Sequence, residues 1–321
     1  MPASSVPPQP LDPDADALLS GWLAAAAGPV EDQPVALLRS SGLINESVTG
    51  PRLTVRSVDD RTATGRDGHR VGVRVYDDAG AGAPVLVYAH GGGWTLLSVE
   101  SCDALCRRIC ATTGCTVVSV DYRLAPEHPF PAAFDDVWCA VEWVATGGLG
   151  FVPERVAVGG DSAGGNLAAA VAIVARETGA VDLAAQFLLY PATDTDLATP
   201  SMLGNGSDPK FRLHPRTMAW FWGNYLGGDL SCTDPRAVPA RSASFAGLAP
   251  AVVVAPMFDP LHDDGVRYAE LLRRDGTPVD LIEPPTMPHG FAMMLGAVPA
   301  ALPVFEDVIR RLHRTIQGEA T

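Results

Sequence analysis

The hydrophobic pattern of the chain predicts buried strands that alternate with helices. Residues 84–89 form a continuously apolar run, which is typical of a strand buried on both faces of a sheet. The other strands are predicted at 53–58, 70–76, 115–120, 155–158, 184–190, 250–255 and 279–282, and helices at 14–27, 98–113, 132–146, 163–177, 215–226, 264–274 and 303–316. From residue 84 onward this order favours an α/β fold with a mostly parallel central sheet flanked by helices.

The alternation is interrupted between residues 191 and about 229. This stretch has no good strand pattern but includes the aromatic helix predicted at 215–226. We therefore expect it, together with the N-terminal helix, to form a helical lid over one end of the sheet. The predicted organisation is a single domain over 1–321, with the lid at about 1–48 and 191–229. The catalytic core is then at about 49–190 and 230–321.

The charge of the chain excludes some classes of partner. A net charge of −14 is a poor match for binding nucleic acid or an anionic membrane, because phosphates attract Lys and Arg. The start of the chain has no basic region typical of a secretion signal, and the apolar stretch 18–27 is too short to span a bilayer. We therefore expect a cytoplasmic protein with no nucleic-acid partner and no membrane anchor.

Three of the six cysteines, Cys102, Cys106 and Cys110, recur every four residues and would share one helix face. One interpretation is a thiolate metal site. However, the chain has no CxxC pair and no nearby histidine at the spacing of zinc ligands. A packed helix face is favoured, because free cysteine is among the most buried residue types. No metal and no cofactor are predicted.

The segment Gly160-Asp161-Ser162-Ala163-Gly164 lies directly after a predicted strand and directly before a predicted helix. This is the context of a nucleophile elbow, in which small neighbours allow a tight turn and the serine hydroxyl projects outward. The alternative is a glycine-rich loop that binds phosphate at a helix N-terminus. Neither a Walker lysine nor a GxGxxG pattern accompanies it. Ser162 is therefore the predicted nucleophile.

A second glycine cluster, His90-Gly91-Gly92-Gly93-Trp94, follows the buried strand 84–89. Its unshielded backbone N–H groups could stabilise the oxyanion that forms during ester hydrolysis. Gly92 and Gly93 are the first choice, together with the N–H of Ala163 after the nucleophile. Gly91 shapes the loop and is a further candidate donor. The alternative is a flexible glycine hinge.

A serine nucleophile needs a base, and in this kind of fold the chain order is serine, acid, histidine. His289 follows the last predicted strand, so it lies at the same sheet end as Ser162. His262 follows another strand and is the second choice, whereas His214 lies in the lid and His313 inside the terminal helix.

The acid is expected just after the strand 250–255. Asp259 comes first there, and Asp263 and Asp264 more plausibly cap the following helix. Asp259 would orient the imidazole and stabilise its charged form.

Aromatic side chains are candidates for an apolar substrate pocket. The substrate-binding prediction names Trp94, Trp222 and Phe291, with Asp161 beside the nucleophile. Trp220, Phe221, Tyr225 and Met293 are further candidates. For the aromatic group at 220–225, packing within the lid is an equal alternative.

Taken together, these motifs resemble the bacterial hormone-sensitive-lipase-like esterases of the α/β-hydrolase superfamily. The matching segments are HGGGW at 90–94, DYRLAPEHPFPAAFDD at 121–136, GDSAGGN at 160–166, FDPLHDDG at 258–265, HGF at 289–291 and, in the lid, MAWFWGNYL at 218–226. The resemblance spans about residues 15–315. It implies the α/β-hydrolase fold, a triad of Ser162, Asp259 and His289, an HGGG oxyanion loop and a lid. It further implies hydrolysis of short- to medium-chain acyl esters, without metal or cofactor.

The resemblance also suggests that residues 121–136 are structural, with Arg123, Glu127 and Asp135 buttressing the HGGG loop. Relatives often carry arginine where this chain has His262. Several alternatives stay open. The same triad could cleave amides or lactones or transfer an acyl group to an acceptor other than water, and the fold could host a non-catalytic receptor. Neither the physiological small-molecule ester nor the oligomeric state, such as a homodimer, can be read from the sequence.

Overall fold

The computed structural model describes residues 9–40, 45–65, 67–80 and 82–319, and within these residues it contains an eight-stranded sheet. The strands are β1 Ser57–Thr64, β2 Arg70–Asp77, β3 Val85–Ala89, β4 Thr116–Asp121, β5 Val156–Asp161, β6 Leu183–Leu189, β7 Ala251–Val254 and β8 Val279–Ile282. Their order in the sheet is β1-β2-β4-β3-β5-β6-β7-β8. β2 is antiparallel to both β1 and β4, and the pairs from β4 through β3 to β8 are parallel. The prediction of a mostly parallel sheet is confirmed.

The helices flank this sheet and cover one of its ends. They are α1 Pro13–Ala25, α2 Val35–Arg39, α3 Glu46–Thr49, α4 Asp103–Thr113, α5 Ala132–Ala145, α6 Ala163–Thr178, α7 Pro200–Gly204, α8 Pro215–Tyr225, α9 His262–Arg274 and α10 Ala301–Gln317. Short 3₁₀ turns accompany them, among them Pro209–Phe211 and Phe291–Met293.

Two hydrophobic clusters lie on opposite faces of the sheet. Because side chains alternate along a strand, Val87 of β3 faces one cluster and Leu86 faces the other. The first cluster contains residues of α5, α6 and α9, and the second contains residues of α4 and α10. Burial on both faces explains why β3 is apolar at every position.

The first strand was predicted at the wrong place. It was expected at 53–58, but β1 runs over Ser57–Thr64 and pairs with β2 from Ser57 opposite Asp77 to Thr64 opposite Arg70. β1 is an edge strand with mostly exposed side chains, so its sequence, SVDDRTAT, has a weak hydrophobic pattern. Pairing with β2 decides its position instead.

Residues 9–40 and 191–229, which we call the lid segments, contact each other. The Lys210 ammonium lies 2.9 Å from a carboxylate oxygen of Asp16, and the Thr217 hydroxyl donates to Glu31 at 2.8 Å. Arg216 pairs with the same Glu31 at 3.4 Å. These contacts join α1 and the turn that contains Glu31 to the second lid segment, through Lys210 before α8 and through Arg216 and Thr217 within α8. Of the rest of the predicted N-terminal lid, residues 1–8 and 41–44 lie outside the described residues, and 45–48 lie at the start of α3.

Candidate active site

Ser162 occupies the turn between β5 and α6 in a backbone conformation that side chains rarely adopt. Its φ is 53° and its ψ is −117°, and its N–H donates to the carbonyl of Leu189 at 2.8 Å. The turn is tight because the loop after β5 passes close to β3. A Cβ atom on Gly160 would lie 2.4 Å from the carbonyl oxygen of Ala89, and one on Gly164 would lie 1.9 Å from it. Only glycine fits at these two positions.

His289 and Asp259 reach Ser162 from loops that follow the last two strands. Nε2 of His289 lies 3.0 Å from Oγ of Ser162, and Nδ1 lies 2.8 Å from Oδ2 of Asp259. A carboxylate only accepts, so Nδ1 carries the proton and Nε2 is free to accept the serine proton. A bridge between Phe258 and Pro288 continues the pairing of β7 with β8 and places the acid and the histidine side by side.

Asp259 is fully buried, and its second oxygen accepts the N–H of Leu261 at 2.7 Å. Burial and this bond hold the carboxylate toward the imidazole. The competing acids have other partners: Asp263 accepts the N–H of Ser201, and Asp264 accepts that of Thr193. His262, the second choice as base, points instead toward Glu283 and the carbonyls that follow β7.

Of the four candidate oxyanion donors, three are free to act. The N–H groups of Gly92, Gly93 and Ala163 donate no hydrogen bond within the described residues. Gly92 and Gly93 have φ values of 101° and 59°, which favour glycine, and both line the cavity at Ser162. Gly91 is the exception, because its N–H donates to Oδ1 of Asp161 at 2.9 Å. Its candidacy as an oxyanion donor is therefore wrong.

Asp161 shapes the loop that carries these donors. It is buried, and its Oδ1 accepts the hydroxyl of Tyr88 at 2.8 Å as well as the N–H of Gly91. Burial raises the pKa of Asp161, whereas these two hydrogen bonds act to lower it. Asp161 borders the cavity, as expected for a substrate-binding residue, but the contacts of its Oδ1 are with the protein. They tie the glycine loop to the nucleophile turn.

Three aromatic residues predicted to bind substrate pack in the interior instead. Trp94 stacks on Tyr225 with ring centroids 4.4 Å apart and also contacts Trp222. Phe291 packs against Tyr190. Trp94, Trp222 and Phe291 are all buried, and none lines the cavity at Ser162. Burying the large apolar surfaces of Trp94 and Trp222 anchors the glycine loop and α8 to the core, so the packing alternative stated for the aromatic group at 220–225 holds for Trp222.

A cavity of about 660 Å³ opens at Ser162 and His289. Its apolar lining comes from both lid segments and the core, and includes Leu19, Trp22, Leu213, Phe221, Met293 and Met294. Sequence reasoning named Phe221 and Met293 but missed the residues of α1. The mixed apolar and polar pattern of 14–27 predicted the helix without showing which face would meet a ligand.

Of the three residues in segment 121–136 that were predicted to buttress the glycine loop, only Glu127 is linked to the residues beside it. Glu127 binds the guanidinium of Arg39, which also donates to the carbonyl of Thr95 next to the glycine loop at 2.9 Å. Arg123 pairs with Asp136 at 2.7 Å. The buttress role predicted for Arg123 is wrong, because its side chain bonds Asp136, His69 and the carbonyl of Ala132 rather than the glycine loop. The role predicted for Asp135 is also wrong, because the buried carboxylate of this pair belongs to the next residue along α5.

The parallel sheet with a strained serine after β5, joined through histidine to a buried aspartate, is the arrangement that defines the α/β-hydrolase fold class. Comparison with known proteins agrees. A family model described as "alpha/beta hydrolase fold" matches residues 86–293. The chain belongs to the hormone-sensitive-lipase-like esterases of this superfamily, and it is a carboxylic ester hydrolase.

Similar proteins include the carboxylic ester hydrolase LipN of Mycobacterium tuberculosis, which is 44% identical over 273 residues, 82% of this chain and 71% of LipN. Ethyl acetate hydrolase of Pseudomonas putida is 37% identical over 75% of this chain and 77% of its own length. Among solved structures, a thermostable esterase from Pseudomonas putida ECU1011 has a TM-score of 0.89 at 30% identity, covering 98% of this chain and 99% of that chain.

Proposed function

We propose that Ser162, His289 and Asp259 hydrolyse short- to medium-chain acyl esters through an acyl-enzyme intermediate. The observation that carries this proposal is the unbroken chain of short contacts from Asp259 through both nitrogens of His289 to Oγ of Ser162. The Ser162 end of this chain of contacts opens into the cavity of about 660 Å³, a volume within the range of small-molecule sites.

In the first step Oγ of Ser162 attacks the ester carbonyl carbon, and its proton moves to Nε2 of His289. The tetrahedral oxyanion accepts hydrogen bonds from the N–H groups of Gly92, Gly93 and Ala163. When the bond from carbon to the alcohol oxygen breaks, His289 gives its proton to the leaving alcohol. Water then attacks the acyl-enzyme, loses a proton to His289 and releases the acid, and the proton returns to Ser162.

The test begins with Ser162→Ala and a series of p-nitrophenyl esters of graded acyl length. We expect the substitution to lower kcat by about 10⁴-fold or more, and a fluorophosphonate to label the wild-type enzyme but not the variant. Turnover by Ser162→Ala close to that of the wild type would refute the assignment. Amides and lactones in the same panel separate ester hydrolysis from the other reactions that this triad could support.

The role of the acid has a matched control. Asp259→Asn should lower kcat by about 10²- to 10⁴-fold, because an amide NH₂ facing Nδ1 would favour the imidazole tautomer that cannot accept the serine proton. Asp263→Asn removes a neighbouring carboxylate that binds Ser201 and does not touch His289. It should stay within about threefold of wild type, and equal losses in both variants would contradict the assignment of Asp259.

Three further expectations concern the location of the protein, its lid and its assembly. All six cysteines are free thiols, which supports a reduced, cytoplasmic setting. Within the described residues, no helix is both long and apolar enough to cross a membrane. A lid role for the two segments is supported by the cavity residues that each of them supplies. A homodimer stays a prediction.

A further inference from the structure

The cavity at Ser162 contains a half-buried arginine without a counter-charge. Arg212 lines this cavity, and its guanidinium has no hydrogen bond or ion pair with any described residue. Burial lowers the pKa of Arg212, and no carboxylate offsets this effect. Guanidinium groups away from water normally have an anionic or carbonyl partner, because leaving such a charge unpaired is costly.

The other ionised groups around the cavity already have partners. Arg39 is held by Glu127, and Arg52 pairs with Glu100 at 2.5 Å. Glu100 also binds Arg74 at 2.7 Å. Outside the cavity, the described arginines that lack a partner, Arg70, Arg273 and Arg314, are exposed to solvent. Arg212 therefore leaves one positive charge uncompensated in the cavity of a chain whose net charge is −14.

The local turn does not require an arginine at this position. Arg212 ends the 3₁₀ turn Pro209–Phe211 with a φ of 58°, a left-handed conformation that glycine or asparagine adopts more readily. Its backbone N–H donates to the carbonyl of Pro209, a bond that any residue except proline could make. Glycine or asparagine at this position would relieve both the backbone strain and the unpaired charge, so the side chain is better explained by what enters the cavity.

We propose that Arg212 selects ester substrates that carry a second, anionic group, with a carboxylate as the fitting chemistry. This inference rests on the ester hydrolysis by Ser162 proposed above. While the ester carbonyl is held at Ser162, the free carboxylate accepts two parallel hydrogen bonds from the guanidinium fork. The apolar residues that line the rest of the cavity would contact the connecting carbon chain. The preferred substrates are thus monoesters of dicarboxylic acids rather than neutral alkyl esters.

The experiment measures kcat/KM for mono-p-nitrophenyl esters of linear C4 to C8 dicarboxylic acids. Each is paired with the neutral p-nitrophenyl alkanoate of the same chain length. In the wild type we expect the anionic ester to be favoured by at least about 10-fold at the best chain length. Arg212→Met should lower the ratio of anionic to neutral kcat/KM by about 10²-fold, because a charge-assisted bidentate contact is lost.

Two further variants make this result specific. Arg212→Lys retains the charge but loses the planar fork, and its ratio should fall between those of the wild type and Arg212→Met. Arg273→Met removes an exposed, unpartnered arginine from α9 and lowers the net charge equally, so its ratio should equal that of the wild type. The proposal is overturned if the wild type prefers the neutral ester at every chain length, or if Arg212→Met and Arg212→Lys both leave the ratio unchanged.

Failure of this inference can be distinguished from failure of the proposed function. If Ser162→Ala abolishes turnover of both ester series while the Arg212 variants leave the ratio unchanged, the triad assignment stands and only the substrate class is wrong. If Ser162→Ala retains turnover of the neutral esters, the proposed function itself is wrong.

Discussion

At the scale of single residues, the site depends on a strained backbone conformation at Ser162, which contacts with neighbouring residues stabilise. The left-handed φ of this non-glycine residue is held by its N–H bond to Leu189 and by the helix that starts at the next residue. The glycines on either side let β3 approach closely, and Gly92 and Gly93 after β3 line the same cavity as Ser162. Strain and close approach are therefore parts of one arrangement.

Gly164→Ala should disrupt this arrangement. Its Cβ would lie 1.9 Å from the Ala89 carbonyl oxygen, a clash with backbone that no rotamer change relieves. We expect a loss of about 3 kcal/mol or more in the free energy of unfolding, or failure to fold, and loss of fluorophosphonate labelling in any folded fraction. Urea unfolding and labelling measure both.

Gly223→Ala is the matched control. It lies within α8, and a Cβ atom there would have no neighbour within 4 Å. The free energy of unfolding of this variant should rise by about 0.5–1 kcal/mol, because alanine has a higher helix propensity than glycine. If both substitutions had the same effect on unfolding, the close contact between β3 and the start of α6 would not be what requires Gly164.

At the scale of elements, one buried carboxylate joins the loop after β6 to the start of α9. Oδ2 of Asp264 accepts the N–H groups of Thr193 and Asp194 at 2.9 and 3.3 Å. Burial is the main cause that raises the pKa of Asp264, to about 8, against the opposing effect of these hydrogen bonds. This contact holds the first residues of the lid segment 191–229 against α9, the helix that follows Asp259.

The raised pKa of Asp264 predicts a pH dependence of stability. Between about pH 4 and pH 8 the folded state binds a proton at Asp264 that the unfolded state has released, so the free energy of unfolding should fall as pH rises through this window. Asp264→Asn cannot titrate, but its amide oxygen can still accept the two N–H groups. Relative to wild type, this variant should therefore gain stability as pH rises from 5 to 8.

Urea unfolding at pH 5, 6, 7 and 8 measures this difference. Asp182→Asn, which replaces an exposed aspartate, controls for the change in net charge and should follow the wild-type pH dependence. A constant difference between Asp264→Asn and wild type across the four pH values would show that Asp264 is ionised in the folded protein throughout.

At the scale of the whole molecule, the cavity is closed by chain segments that lie far apart in sequence. Leu19 and Trp22 come from α1, and Leu213 and Phe221 come from the lid segment 191–229. Met293 comes from the loop after β8. The lid segments are joined to each other in part by partly exposed ion pairs, such as Lys210 with Asp16, which are individually weak. They should therefore open more readily than the sheet.

This arrangement predicts how a bound acyl chain changes hydrogen exchange. Amides in residues 9–40 and 200–225 should exchange faster than those of β3 to β7 in the free enzyme. Labelling Ser162 with an octyl phosphonate should slow exchange in both lid segments, because the chain contacts residues of each. A methyl phosphonate makes the same bond to Ser162 without the chain and should have little effect. Equal protection by the two labels would contradict a lid role.

The local sequence pattern was sufficient to predict much of the fold and of the candidate site. Strands buried on both faces, such as β3, are apolar throughout, and tight turns between strand and helix require small residues, so β3, β5 and the turn at Ser162 are visible in sequence. Chain order and position after strands were enough to place Asp259 and His289 at one sheet end, where the structure brings them together. These features depend on neighbours along the chain or on a general property of parallel sheets.

Other features depend on contacts between distant segments, which no local pattern encodes. The position of β1 follows from pairing with β2, and the N–H of Gly91 is occupied because Asp161 lies 70 residues away in sequence but adjacent in space. Trp94 is buried because α8 covers it. The unpaired charge of Arg212 can be recognised only in the folded chain, because the cavity that Arg212 lines forms only there. The sequence determined the fold and the proposed reacting groups, whereas tertiary packing decided which side chains line the cavity, because burial and pairing are properties of the assembled surfaces.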